Sequence, residues 1–343
     1  MSKIIFSIET SCDETSVAIL NQQCEILSHL NYTQKDHKVH GGVVPEIAAR
    51  AHLQILQKII PISLKKAKLR MKDIDIFCAT CGPGLIGGLL VGSSVAKSMA
   101  IAQNKPFYPI NHLEAHILSP GFKFNMRFPN LTVLLTGGHT QLYYVEGITK
   151  YKLIGETVDD AIGESFDKVA KLLNLKFPGG PEIEKIAKSG DENKFNIPHP
   201  FKSKKNLNFS FSGIKTAINL MVKKRKVVDY GFKKDLAASF QKKIADIIEQ
   251  KIIYALEFLN EKNKKIVDIS IVGGVAANKK IKSRLINLCK KNNFRLIYPQ
   301  NEFCGDNAAM IAKVCIEHNK FNFNSNIDFR PNPRLIILNS IKI

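Results

Sequence analysis

Apolar and polar positions along the chain change period several times, and each change marks an element. The run Ile4 to Glu9 predicts a buried strand, Thr10-Ser11-Cys12-Asp13-Glu14-Thr15 a tight polar turn, and Ser16 to Leu20 the returning strand. After a loop with His37, His40, Gly41 and Gly42, the spacing becomes helical from Pro45 to Lys66, and Pro45 suits a first helical turn. Ile74 to Ala79 predicts a strand, Gly82-Pro83-Gly84 a turn, Leu85 to Gln103 a helix rich in small residues, and Pro106 to Ile110 another strand. A strand, a glycine turn and a helix N-terminus form a common anion site, and Gly82 to Gly84 has that arrangement. Without a Gly-Lys-Thr run it is not a P-loop.

Asn125 to Asn130 predicts a linker, and beyond it the order of elements starts again. Leu131 to Leu135 is a strand, Thr136-Gly137-Gly138-His139-Thr140 a polar glycine turn, and Gln141 to Glu146 a strand. Val267 to Val272 is a later strand that leads through Gly273 to Asn278 into a helix over Lys279 to Lys291. Each half therefore has a hairpin with a polar turn, then a strand, a glycine turn and a helix. A duplicated α/β chain of this kind follows the plan of the actin, hexokinase and Hsp70 superfamily (the ASKHA fold), with residues 1–130 as one domain and 131–343 as the other. A mostly helical insert is expected at about 153–260. In it, Thr157 to Asn174 reads as an amphipathic helix, Pro178 to Pro181 as a rigid turn before a helix from Glu182, Ser210 to Thr216 as a helix cap, and Phe232 to Leu259 as a long helix. Cys304-Gly305-Asp306-Asn307 places an Asp at a loop-to-helix junction, and the tail from Phe329 to Arg334 is basic and extended.

Composition narrows the class. With 343 residues, 45% of them hydrophobic, the chain can bury a large core. Its formal net charge of +20 favours polyanionic partners, although a lysine-rich composition alone would give the same figure. Clusters at 202–205, 223–226, 262–265 and 279–282 place the lysines late in the chain. Seven cysteines do not make a disulfide framework, and Cys78-Ala79-Thr80-Cys81 reads as a buried strand end rather than a redox or zinc site. There is no signal-peptide pattern and no apolar run of about 20 residues, so the expected location is the cytoplasm.

The sharpest chemistry lies in Asn111-His112-Leu113-Glu114-Ala115-His116, at the C-terminal edge of a predicted strand, where α/β folds bind ligands. Two histidines four residues apart on a helix share a face and can hold one metal ion, although two surface histidines would have the same spacing. The zinc-peptidase signature needs Glu directly after the first His, and Leu113 holds that place. The turn with Asp13 and Glu14 can offer backbone N–H groups to a phosphate and carboxylates to its metal, or be no more than a polar hairpin turn.

These segments together resemble the TsaD family of tRNA threonylcarbamoyladenosine transferases. The resemblance covers nearly the whole chain, through IETSCDET at 8–15, GGVVPE at 41–46, GPGL at 82–85, NHLEAH at 111–116 and TGGHTQL at 136–142. It continues through FDK at 166–168, FPGGP at 177–181, FSFSGIKT at 209–216, GGVAAN at 273–278 and CGDNAAMIA at 304–312. It implies one divalent metal, iron or else zinc, on His112, His116 and Asp306. It also implies nucleotide or substrate contacts at Leu134, Leu135, Thr136, Gly137, Gly138, Asp167, Gly180 and Asn278, with threonylcarbamoyl-AMP or ATP/AMP as the bound nucleotide. Asp13, Glu14 and His139 are the catalytic candidates, the two carboxylates for proton transfer or charge placement and His139 for a ligand contact, unless it is a structural turn residue. The implied partners are tRNA, a catalytically inactive TsaB-like paralogue and a small TsaE-like ATPase. A metallopeptidase and an Hsp70-like nucleotide-gated binding module are the competing readings; the first lacks its glutamate, and the second would have no metal trio.

Overall fold

A computed structural model describes residues 2–37, 42–202, 206–337 and 341–342, the last two by backbone alone. His40 and Gly41 of the predicted loop, and Lys204 and Lys205 of the first lysine cluster, lie outside the described residues. In chain order the elements are β1 (Ile4–Glu9), β2 (Glu14–Asn21), β3 (Ile26–Thr33), α1 (Pro45–Ala67), β4 (Ile76–Gly82), α2 (Ile86–Ala102), β5 (Phe107–Asn111) and α3 (His112–Leu118). There follow β6 (Asn130–Leu135), β7 (Thr140–Gly147), β8 (Lys150–Glu156), α4 (Ile162–Leu172), α5 (Gly179–Ala187), α6 (Ser212–Lys223) and α7 (Tyr230–Glu261). The chain closes with β9 (Asp268–Val272), α8 (Lys279–Lys291), β10 (Arg295–Ile297), α9 (Ala308–Lys320) and β11 (Ile341–Lys342).

Strand order exposes the duplication. One sheet runs β3-β2-β1-β4-β5 and the other β10-β9-β6-β7-β8-β11. Three strands in each are antiparallel neighbours in sequence, and the next two join in parallel on the far side of the first strand. Strands β8-β7-β6-β9-β10 thus repeat β3-β2-β1-β4-β5. The sequence pattern omits β3, β8, β10 and β11. Strand β3 is largely exposed and buries Ser28 rather than its apolar side chains, so it lacks a clean alternation, and the register of β8 against β7 shifts twice.

Two compact units emerge, Met1–Phe122 with Gly305–Leu338, and Lys123–Cys304 with Asn339–Ile343. The expected division at 130/131 differs from this in its boundary and, more, in the return of α9 to the first unit. Period-2 alternation explains that return. Phe6 and Ile8 on one face of β1 share a core with Leu56 of α1 and Ala96 of α2, while Ser7 on the other face donates to the Ala308 carbonyl at 2.7 Å. Ser16 of β2 accepts from the Ala308 N–H at 2.9 Å. Residues Ala308 to Ile316 are buried all round, as a helix under a sheet must be.

The second unit has its core between its sheet and the insert helices, where Phe166, Phe209, Phe211, Phe240 and Ile248 meet Leu131 and Val133. Local corrections concern helix starts. Helix α4 begins at Ile162 rather than Thr157, with Ile162 N–H donating to Thr140 Oγ1 at 2.8 Å. Helix α5 begins at Gly179, so the expected rigid turn is its first turn; the Asp167 carboxylate accepts from Gly179 N–H at 2.6 Å and favours that end of the helix dipole. The cap of α6 is Asp159, which takes Ser210 Oγ, Phe211 N–H and Ser212 Oγ at 2.5, 2.7 and 2.8 Å.

Candidate metal centre and nucleotide turn

The first unit gathers the metal candidates. Helix α3 starts directly at the end of β5, and Asn111 caps it by accepting from Leu113 N–H at 2.9 Å and Glu114 N–H at 3.2 Å. That cap fixes His112 at the first helical position and His116 one turn later, with ring centroids 4.7 Å apart. Asp306 reaches them from the loop before α9. Its Oδ1 lies 3.3 Å from His112 Nε2 and 3.1 Å from His116 Nε2, and one donor atom from each of the three falls within 4.8 Å of the others. First-row metals bind such donors at about 2.0–2.2 Å, so small side-chain adjustments would close the trio around one ion.

Three residues that sequence reasoning did not single out hold this group. Glu9, the fully buried end of β1, places Oε2 3.1 Å from His112 Nδ1. The other Glu9 oxygen accepts from Ser11 N–H at 2.5 Å, and Thr80 donates to Oε2. Burial would raise the Glu9 carboxyl, but the His112 cation beside it holds it below the usual range. Burial likewise pulls His112 down, and the Asp306 and Glu9 carboxylates outweigh it, so this imidazole stays well above the histidine range. Asp306 is lowered, because His112 and His116 outweigh its burial, whereas for His116 burial wins and the imidazole is lowered.

With a proton on Nδ1 toward Glu9, the Nε2 lone pair of neutral His112 faces a carboxylate oxygen. That arrangement needs a cation, either a second proton or a metal ion. A histidine whose other nitrogen donates to a carboxylate is also the usual partner geometry for a metal ligand. The trio therefore fits one divalent ion, and two imidazoles with one carboxylate suit iron(II) or zinc.

Around the same turn, Glu14 is half-buried and its carboxyl is pushed well above the usual range, by burial first and then by the charges of Asp306 and Asp13, to which it is hydrogen-bonded. His52 sits beneath the turn with Nδ1 2.8 Å from Thr15 Oγ1 and Nε2 3.0 Å from the Cys12 carbonyl. Glu114, between the two histidines in sequence, pairs with His318 at 2.9 Å and so links α3 to α9. Cys78 and Cys81 are buried in β4, and burial pushes the Cys81 thiol up to about 12. The glycine turn at Gly82 to Gly84 is filled by the chain's own tail. Asn332 N–H donates to the Cys81 carbonyl at 2.8 Å and Gly84 N–H to the Pro333 carbonyl at 3.2 Å. A Cβ on Gly82 would lie 2.0 Å from the Asn332 oxygen.

The second unit carries the glycine turn. Leu134 and Leu135 end β6; Thr136 N–H donates to the His139 carbonyl at 2.9 Å, and His139 N–H returns to Thr136 Oγ1 at 2.9 Å. This closed turn lifts Gly137 and Gly138 into the open, with no atom within 4 Å of where a Cβ would stand. Gly163 packs beneath it, where a Cβ would lie 2.7 Å from the Gly137 Cα. Gly180 at the start of α5 and Gly274 after β9 face open space as well. Asn278 caps α8 by accepting from Ile281 N–H at 3.1 Å, and its amide donates to Gln241 at 2.9 Å. Leu134 to Gly138, Asp167, Gly180, Asn278 and His139 therefore all belong to one unit, and Asp13, Glu14, His112, His116 and Asp306 to the other.

Comparison with known proteins decides the family. The model of TsaD, tRNA N6-adenosine threonylcarbamoyltransferase, matches residues 25–313. The chain belongs to the TsaD family. Two of the relatives bearing this enzyme name, from Rickettsia rickettsii (strain Sheila Smith) and Pelagibacter ubique (strain HTCC1062), are each 46% identical, over 96% of this chain and 97% and 94% of theirs. A solved structure of T. kodakarensis HypF is similar in fold alone: TM-score 0.62, 13% identity, 93% of this chain and 48% of that one. The duplicated sheets of this TsaD-family chain have the actin, hexokinase and Hsp70 architecture.

Proposed function

We propose that the chain transfers a threonylcarbamoyl group from threonylcarbamoyl-AMP to N6 of the adenosine 3′ of the anticodon, in tRNAs reading codons that begin with A. One divalent metal, iron(II) or zinc, would be held by His112, His116 and Asp306. Family membership supports the reaction, and the convergence of those three donors, with Glu9 behind His112, carries the assignment of the centre.

In the reaction the N6 amine attacks the carbonyl carbon of a mixed carbamoyl–phosphate anhydride. A C–N bond forms, the bond from the carbonyl carbon to the bridging oxygen breaks, AMP leaves with that oxygen and the electron pair, and N6 loses a proton. A metal bound at the trio supplies Lewis acidity toward an oxygen of the substrate. Glu9 keeps the Nδ1 proton of His112 and with it the orientation of the ring. Asp13 and Glu14 would handle the proton from N6; burial and the charges of Asp306 and Asp13 raise the Glu14 carboxyl, which strengthens it as a base. The bare backbone of Thr136, Gly137 and Gly138 receives the phosphate, with Leu134, Leu135, Asp167, Gly180 and Asn278 around the nucleotide and His139 at its edge.

The family also supports assembly with a TsaB-like paralogue and a TsaE-like ATPase, and work in the cytoplasm. Among the described residues no helix is long and apolar enough to cross a membrane. The test incubates the chain with iron(II) or zinc, threonylcarbamoyl-AMP and unmodified tRNA, with and without the helper proteins, and reads the modified nucleoside by mass. Product that disappears with His112→Ala supports both reaction and centre. Absence of product with helpers present, alongside intact nucleotide binding, overturns the transferase in favour of a nucleotide-gated binding module.

A further inference from the structure

Half of the chain's excess positive charge sits in about an eighth of its length. Residues 202–243 contain twelve Lys and Arg and two acidic residues, against 50 and 30 in the whole chain and a formal net charge of +20. Both acids are engaged locally. Asp229 accepts from Phe232 N–H at 2.7 Å as the cap of α7, and Asp235 accepts from Asp191 N–H at 2.9 Å.

The densest point is the elbow between α6 and α7. Lys223, Lys224, Arg225 and Lys226 follow one another there, all exposed. Tyr230, at the start of α7, is 64% exposed. Arg225 is held with its guanidinium carbon 4.8 Å from the centre of the Phe232 ring. Elsewhere the lysine clusters are partly neutralised, Lys280 by Glu192 at 2.7 Å and Lys264 by Glu146 at 3.5 Å. Among the described residues none of the four elbow cations is in an ion pair. The dipole of α6 favours a cation in its last turn and so accounts for Lys223. It does not account for three more cations beyond the helix end.

We infer that this elbow is a docking surface for the sugar–phosphate backbone of the tRNA, with Tyr230 stacking on a sugar or an unpaired base. The inference rests on the transferase reading above. Cations in succession on an exposed segment suit phosphates, which fix position and affinity without reading sequence, and an exposed aromatic among them is the usual companion in RNA binding. The elbow therefore strengthens binding of every substrate tRNA by a similar factor.

The experiment measures tRNA affinity of the full chain from 50 to 300 mM salt, with turnover at saturating tRNA. Lys223, Lys224, Arg225 and Lys226 are replaced together by Ala. Affinity at 150 mM is expected to fall roughly 10- to 100-fold, and the slope of log K against log salt by about three. The tRNA KM rises while kcat stays, and the melting temperature is unchanged. Removing four exposed lysines of α1 and its end (Lys58, Lys65, Lys66 and Lys68 to Ala) is expected to leave the slope nearly intact. Tyr230→Ser lowers affinity without altering the slope. An unchanged slope in the elbow variant, or an equal loss in the α1 variant, overturns the inference while leaving the transferase in place. Failure of the unaltered chain to bind and modify tRNA overturns the transferase reading instead.

Discussion

The two hairpin turns occupy the same place in a repeated sheet, yet one is walled in and the other is bare. In the first unit the turn after β1 is surrounded by Glu9, Glu14, His112, His116 and Asp306, and the neighbouring glycine turn is filled by the tail at Asn332 and Pro333. In the second, Gly137, Gly138 and Gly274 face open space. The same backbone has thus been given donors of charge on one side and unobstructed N–H groups on the other. Duplication preserved the strands, and the turns diverged into complementary chemistries.

The comparison breaks most sharply at the ligands. Asp306→Ala leaves two imidazoles and is expected to lower metal affinity by more than about 100-fold, since even outer partners are each worth 10- to 100-fold; metal content after dialysis checks it, and transfer should disappear with the metal. Glu9→Gln, which keeps the shape but weakens the acceptor behind His112, is expected to reduce metal affinity about 10- to 100-fold without unfolding the chain. Titration of the apo-protein with zinc gives the value, and an unchanged affinity would remove Glu9 from the centre.

The bare turn makes the opposite demand. Gly138→Val puts a side chain where nothing stands, so the melting temperature should hold while affinity for AMP falls at least about tenfold, the scale of one lost good contact. Gly163→Ala should do the reverse, because its Cβ meets the Gly137 backbone; a loss of about 1–3 kcal/mol in denaturant melts is expected. The smallest effect is on pH. Burial holds His52 below the histidine range, so below about pH 6.5 the unfolded chain takes up a proton that the folded one refuses. Stability should decline as pH falls from 7 toward 5, and His52→Gln should flatten part of that slope.

Much of this was legible without coordinates. Short apolar runs placed β1, β4, β6 and β9, and the i, i+4 spacing singled out His112 and His116. Asp306 was not reachable that way; no local pattern joins it to a histidine 190 positions earlier, and only the resemblance to a family supplied it. Glu9 reads as the last residue of an apolar strand, and its role depends on a β-strand face meeting α3 and Asp306. The exposed edge strand β3 and the return of α9 were hidden for a related reason: each is decided by what packs against it, not by its own period.

The return of α9 also has a bearing on synthesis. The sheet of the first unit emerges early, but its cover and the third metal donor come from the segment that begins at Gly305, after the whole of Lys123–Cys304. At roughly 5–20 residues per second, the 190 positions between His116 and Asp306 take on the order of 10–40 s to leave the ribosome. During that interval the nascent first unit has an uncovered β1 face and two imidazoles without their carboxylate, so the metal centre is completed only after the second unit has been made.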